Sequence, residues 1–313
     1  MTPLLSPQWP LFVIYPLSVA FWWTAYLRLA DPVARRLFGE QYGGFNAFNK
    51  MCFRQNMLSG LHTSLSAVCL GGALLGDGTL IFGEFRLYPN TSQLLYLDLS
   101  MSLGYFSYAL PISVVMAKHG FPFGSHVMVL HHLFVVVAQS TFLLTRYPAG
   151  FMAASGFLFE LTNVFFVPHV LLFQLDANRP KTRAILGLSL VVVYTLARCG
   201  ACSALALLSI RDLSRFNPPS AGCWLAALLG MLCFYGLLLI SWYWYFQAIL
   251  PSLHAGLSDH LGETYYHACC PQYVRSFAWR WLTRDGREAR RQLRALQELR
   301  QEVGTQALEW SRT

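Results

Sequence analysis

Seven apolar runs, near 10–27, 59–76, 94–116, 126–145, 151–175, 186–209 and 223–247, make up about half of the chain. Each approaches the roughly 20 residues that a helix needs to cross the hydrocarbon core of a bilayer. In hydrocarbon the backbone finds no water to bond, so a spanning segment closes its hydrogen bonds internally as a helix or within a closed barrel. Continuous rather than alternating apolarity selects the helix. The expected fold is therefore all-α, a polytopic transmembrane bundle of about seven spans. Composition agrees: 55% of residues are hydrophobic and 12% charged, where a soluble domain carries roughly 25% charged residues.

The first run lacks a basic flank before it and a small-residue cleavage site after it, so it reads as a retained span rather than a removable signal. Charge then sets the direction. Arg28, Arg35, Arg36, Lys50 and Arg54 follow the first run, and Lys118, the Arg179/Lys181/Arg183 cluster and the basic tail fall on the same side. By the positive-inside rule that side is cytosolic, which puts the N terminus in the lumen or outside the cell and the C terminus in the cytosol. The net charge of +8 is thereby explained by orientation, and no nucleic-acid partner is expected. The same assignment places the acceptor sequon Asn90-Thr91-Ser92 on the luminal or extracellular side.

Three regions follow: residues 1–49 hold the first span and a cytosolic loop, 50–247 the main transmembrane domain, and 248–313 a basic cytosolic tail. In the tail Ala289, Leu293, Leu296, Val303, Ala307 and Trp310 recur at helical spacing among arginines, the pattern of an amphipathic helix on an anionic cytosolic leaflet. An exposed helix awaiting a partner reads the same way. The eight cysteines form no disulfide framework. Cys69, Cys199, Cys202, Cys223 and Cys233 sit in apolar runs as small hydrophobes, while Cys269-Cys270 after the last span are positions for S-acylation or a plain pair of tail thiols.

The chemistry lies in the polar residues placed at membrane depth, where an ionisable group is costly and faces a bundle interior or a ligand. His131 and His132 are adjacent in the fourth run. On a helix they point about 100 degrees apart, so both do not serve one surface. Glu160 and Asn163 lie one turn apart on one face of the fifth run. Imidazole takes and returns a proton near neutral pH and a buried carboxylate can orient it, so His131, His132 and Glu160 are the candidate catalytic residues. His62, Asn163 and His169 are candidate ligand-holding positions in a pocket open to the cytosol. A His pair and a Glu can equally serve to bond neighbouring helices, since a polar group in hydrocarbon gains from any partner.

Other chemistries lack their residues. Adjacent histidines have poor metal-ligand spacing, His260, Glu263 and His267 lack the HExxH order, and no phosphate loop or nucleophile elbow is present. No metal or cofactor is expected.

The order Asn56–His62 (NMLSGLH), Leu103-Gly104-Tyr105-Phe106, His131-His132 and Glu160-Leu161-Thr162 resembles the TLC-domain family, lipid-related membrane proteins that include the ceramide synthases. The resemblance covers about 50–247. It implies a polytopic fold in the endoplasmic reticulum or plasma membrane and, in the synthase branch, histidines at the site of acyl transfer from acyl-CoA to a sphingoid base. The chain departs from that branch. The acidic HDxxD-type cluster after the His pair is absent, and no carboxylate stands near Tyr108 or Ala109 after the GYF segment. It looks more similar to non-synthase members, which implies a lipid-binding or regulatory protein of membrane lipid homeostasis with membrane lipids as partners. The alternative is an acyl-CoA-dependent N-acyltransferase using His131 and His132.

Overall fold

The computed structural model describes residues 10–77, 87, 92–119, 125–175 and 180–250. The sequon at Asn90, the metal-like trio His260/Glu263/His267, Cys269-Cys270 and the amphipathic pattern at 286–311 lie outside the described residues. The chain divides into two compact units, Met1–Ile249 and Leu250–Thr313, and the helices below all belong to the first.

The first apolar run is a π turn (Pro10–Ile14), helix α1 (Tyr15–Thr24) and a second π turn (Ala25–Leu29) leading directly into α2 (Ala30–Gly43). Gly39 breaks α2 at φ +50°, ψ −127°, a backbone conformation that only glycine adopts freely. Then come α3 (Ala47–Gly76), α4 (Gln93–Lys118), α5 (Ser125–Thr145), α6 (Ala149–Gln174), α7 (Pro180–Val193), a π segment (Tyr194–Ala201), α8 (Cys202–Ser214) and α9 (Ala221–Trp244), which ends in a π turn (Tyr245–Ile249). Among the described residues there is no strand. Starts are fixed by side-chain caps: Asn46 accepts from Asn49 N–H at 2.8 Å, Ser92 from Leu95 N–H and Ser220 from Cys223 N–H. Each cap satisfies a backbone donor that the helix itself leaves unbonded.

Six helices of the described residues are long and apolar enough to cross a membrane: Ala47–Gly76, Gln93–Lys118, His126–Thr145, Ala149–Leu172, Ile185–Ser214 and Ala221–Trp244. The chain is an integral multi-pass membrane protein. The expected first span forms α1 and its flanking π turns but is not one of the six. The second run is longer than its hydropathy indicates, because Asn49, Lys50, Arg54, Gln55 and Asn56 end the apolar stretch without ending the helix. Lys, Arg and Gln keep good helix propensity, and polar residues interrupt hydropathy long before they interrupt backbone bonding.

The six helices pack as a closed ring. α3 packs on α4, α4 on α5, α5 on α9, α9 on the π segment and α8, the π segment on α6, and α6 back on α3. α1 lies against α4, outside this ring. The α1–α4 crossing is close because Gly104 has no side chain; a Cβ there would fall on the side chain of Ser18 and come within 2.9 Å of Val19 N. Ser18 Oγ donates to Met101 C=O at 2.7 Å across the same crossing. Leu75, Leu196, Leu207 and Leu239 are exposed on the outer faces, as side chains facing lipid are expected to be. The described cysteines are all free thiols.

Candidate functional site

The ring encloses polar groups that the apolar helices cannot bury cheaply without partners. Its central cavity offers about 50 Å³ to the centres of water-sized molecules, room for a few waters at the roughly 10–15 Å³ each requires. Ser66 of α3, Asp98 and Ser102 of α4, His131 and Gln139 of α5, Glu160 and Asn163 of α6 and Arg198 of the π segment line it, among apolar side chains that include Phe106, Phe159 and Phe234. Asp98, Glu160 and Arg198 are all buried.

One chain of bonds runs along a wall of the cavity. Thr63 Oγ1 donates to Glu160 Oε2 at 2.7 Å, and Asn163 Nδ2 donates to the same oxygen at 3.2 Å. Asn163 Oδ1 in turn accepts from Arg198 Nη2 at 2.8 Å, which also donates to Phe159 C=O at 2.8 Å. Asn163 thus stands between the carboxylate and the guanidinium, its two amide ends facing the charge each suits. The one-turn spacing of Glu160 and Asn163 does what it predicts. Arg198 also lies over the rings of Phe159 and Tyr194, about 5 Å from each centroid, a favourable cation–π placement.

A second network joins α3, α4 and α5. Gln139 Nε2 donates to Ser102 Oγ at 2.8 Å, and Ser102 Oγ lies 3.1 Å from His62 Nε2. His62 is stacked on Tyr105, with centroids 4.0 Å apart and planes 9° apart. Tyr105 OH accepts from Gln55 Nε2 at 3.1 Å, and Gln55 Oε1 accepts from Tyr108 OH at 2.6 Å. His62 is fully enclosed and lines none of the three cavities described here.

The adjacent histidines part company, as their 100-degree separation requires. His131 lines the central cavity and has no hydrogen-bond partner among the described residues. His132 lines a second cavity with Gln55, Asn56, Ser59, Tyr105 and Ser113. Its Nδ1 lies 2.9 Å from Ser113 Oγ, and Ser113 donates to Ala109 C=O at 3.0 Å. A third, more apolar cavity holds Met128, Asn163, Phe166, Tyr194, Arg198 and Trp244. Phe106, the last residue of the GYF segment, makes edge contacts with the rings of His62, His131 and His132 at 5.4, 6.1 and 5.3 Å.

Of the sequence candidates, the fold brings His131, Glu160 and Asn163 to one cavity and His132 to another. His169, nine residues past Glu160, lies beside Gly187 and lines none of the three. Neither histidine of the pair bonds to Glu160. Sequence reasoning missed Arg198, although a lone arginine inside an apolar run carries the same signal as a histidine there. Asp98, near the start of α4, was likewise not among the candidates, and it faces the interior. Thr63, Ser66, Ser102 and Gln139 gave no signal, since uncharged polar residues are common within spans. Among the described residues no three His, Cys, Asp or Glu side chains gather to hold a metal.

No match to a curated protein was found. The TLC domain family profile matches residues 53–250, well over half of the chain and nearly the stretch bounded by the NMLSGLH segment and the end of α9. The residues that carry the resemblance also meet in space, His62 on Tyr105, Phe106 on the His pair, and Thr63 on Glu160, and the chain belongs to the TLC-domain family.

Proposed function

We propose that this chain is a transmembrane lipid-binding protein that acts in membrane lipid homeostasis by holding the polar end of a lipid inside the helix ring. The observation that carries this reading is a polar interior cavity, with Asp98, Glu160, Arg198 and His131 in its wall, inside an otherwise apolar bundle. Ligand sites between the helices of bundles are built this way, from a largely apolar lining and a few convergent polar groups. The bonding of Glu160 supports binding over proton transfer. Its bonded oxygen already serves Thr63 and Asn163, and among the described residues a His–carboxylate pair, the usual mark of an oriented base, is not made. Residence in the endoplasmic reticulum or plasma membrane fits such a role.

The test is to purify the full chain into nanodiscs of one defined phospholipid, after extraction from native membrane, and to identify the retained lipids by mass spectrometry. A native lipid class held at near one per protein supports the reading. Retention of nothing beyond the bulk lipid rules it out.

A second reading, acyl-CoA-dependent N-acyltransfer, rests on His132. Ser113 directs its own proton to Ala109 and so accepts from His132 Nδ1, leaving Nε2 as the basic nitrogen of a side chain that lines its own cavity with Asn56 and Ser59. Product formed from a labelled acyl-CoA and a long-chain amine, and lost in a folded His132→Ala variant, would establish it in place of the first.

A further inference from the structure

The central cavity contains two ionisable groups of opposite sign that do not neutralise each other. Asp98 accepts from Ser66 Oγ at 3.1 Å through one carboxylate oxygen, and the other oxygen has no bond among the described residues. Arg198 uses Nη2 for Phe159 C=O and Asn163. Its Nε is buried with no hydrogen bond to a described residue, while the Tyr194 side chain lies against the rest of the guanidinium. No carboxylate lies within 4 Å of Arg198 and no cation within 4 Å of Asp98 among the described residues. Both side chains are more than nine-tenths buried, 4% and 2% exposed.

Glu160 does not remove the imbalance. It is tied to Thr63 and Asn163, and it reaches Arg198 only across the Asn163 amide, which takes up one nitrogen of the guanidinium. The Nε–H of Arg198 and one oxygen of Asp98 are left for whatever occupies the cavity. A charge buried without a partner is expensive, and a ligand of one sign would compensate one of the two groups while leaving the other as it was.

We propose that the cavity takes a zwitterionic lipid headgroup, with an oxyanion, phosphate or carboxylate, against Arg198 and a primary ammonium against Asp98. The inference rests on the lipid-binding reading above and names its ligand class. Guanidinium is suited to a planar or tetrahedral oxyanion because it donates in a fork. His131, which lines the same cavity with no hydrogen bond to a described residue, is a further donor for that oxyanion. The ammonium end follows from Asp98: its unbonded oxygen needs an N–H, which a trimethylated nitrogen lacks.

The experiment measures binding of five probes to the full chain in phosphatidylcholine nanodiscs: lysophosphatidylethanolamine, oleate, oleylamine, monoolein and free phosphoethanolamine. The wild type is expected to hold lysophosphatidylethanolamine at least tenfold tighter than each of the others. Asp98→Asn should move the preference to oleate, and Arg198→Gln should move it to oleylamine. Such opposite changes of rank are not produced by a loss of fold. Where a variant does not fold, Asp98→Glu or Arg198→Lys takes its place, and the wild-type ranking decides by itself. Equal binding of oleate or oleylamine by the wild type, or an unchanged ranking in both variants, would overturn the proposal while leaving lipid binding standing. Free phosphoethanolamine competing as well as the lysolipid would keep the zwitterion site and overturn its assignment to a lipid. Binding of none of the five would overturn the lipid-binding reading as well.

Discussion

His132 Nδ1 lies 2.9 Å from the Oγ of Ser113, and that hydroxyl donates to Ala109 C=O at 3.0 Å. With that bond kept the hydroxyl accepts from His132, and the Nδ1–H tautomer is predicted. Ser113→Ala removes the acceptor and leaves a buried N–H unpaired, which costs about 1–3 kcal/mol. Unfolding of the variant in mixed micelles should show that loss. Nitrogen NMR of labelled histidine should report a mainly Nδ1–H His132 in the wild type and a mixture of tautomers in the variant. An unchanged spectrum would mean that the tautomer is set elsewhere.

The Glu160–Asn163–Arg198 chain predicts unequal losses. Thr63→Val removes one donor of two from a buried carboxylate, whereas Asn163→Ala removes a donor from Glu160 and an acceptor from Arg198 at once. The first should cost about 1–2 kcal/mol and the second about 3 kcal/mol or more, since both charges are affected. The two changes share Glu160 Oε2, so their combined effect should depart from the sum by at least about 0.5 kcal/mol. Additive losses of equal size would show that Asn163 bonds the helices without serving the charges.

The bundle was legible in the sequence because hydrocarbon leaves few ways to satisfy a backbone, and continuous apolarity reports burial in lipid directly. Which residues meet was legible only within one helix. The one-turn spacing of Glu160 and Asn163 and the divergence of His131 from His132 follow from helical geometry alone. Contacts between helices, Thr63 with Glu160 or Ser113 with His132, depend on rotations and crossing angles that no single run encodes. Arg198 was overlooked for another reason. An orientation argument counts arginines at the ends of spans, and one in the middle of a span falls outside that count.

Gly104 is predicted to resist replacement, because the backbone of α1 lies against it. A methyl group there would collide with Ser18 and the backbone of α1, whereas one at Gly76 would meet nothing within 4 Å. Gly104→Ala should therefore destabilise by about 1–3 kcal/mol as α1 is pushed away from α4, and Gly76→Ala should change stability by less than about 0.5 kcal/mol. Cross-linking between cysteines placed at Val19 and Leu103 gives a direct readout of that separation. Efficient cross-linking in an otherwise stable Gly104→Ala protein would contradict the close crossing.

The segment after the first apolar run carries a pH-dependent tie. Asp31 accepts from Arg35 Nε at 2.7 Å and from Tyr42 OH at 2.7 Å, and these bonds, that of Arg35 first, hold its carboxyl below its ordinary value of 3.8. A carboxyl depressed on folding contributes stability that is present above its unfolded value and is lost as pH falls through the folded one. Arg35 and Asp31 are partly open to solvent, 58% and 29% exposed, so water screens the tie and its contribution is small. Tyr42 behaves oppositely. Burial, and then its bond to Asp31, push its hydroxyl up to about 12 from an ordinary 10.0, so its contribution is complete below pH 10 and is lost as pH rises from there through about 12. Asp31→Asn should accordingly be slightly less stable than the wild type between about pH 5 and pH 9, with the difference shrinking as pH falls below the ordinary carboxylate value. A difference that stayed constant from pH 7 down to pH 3 would show that the bonds of Asp31 do not depend on its charge.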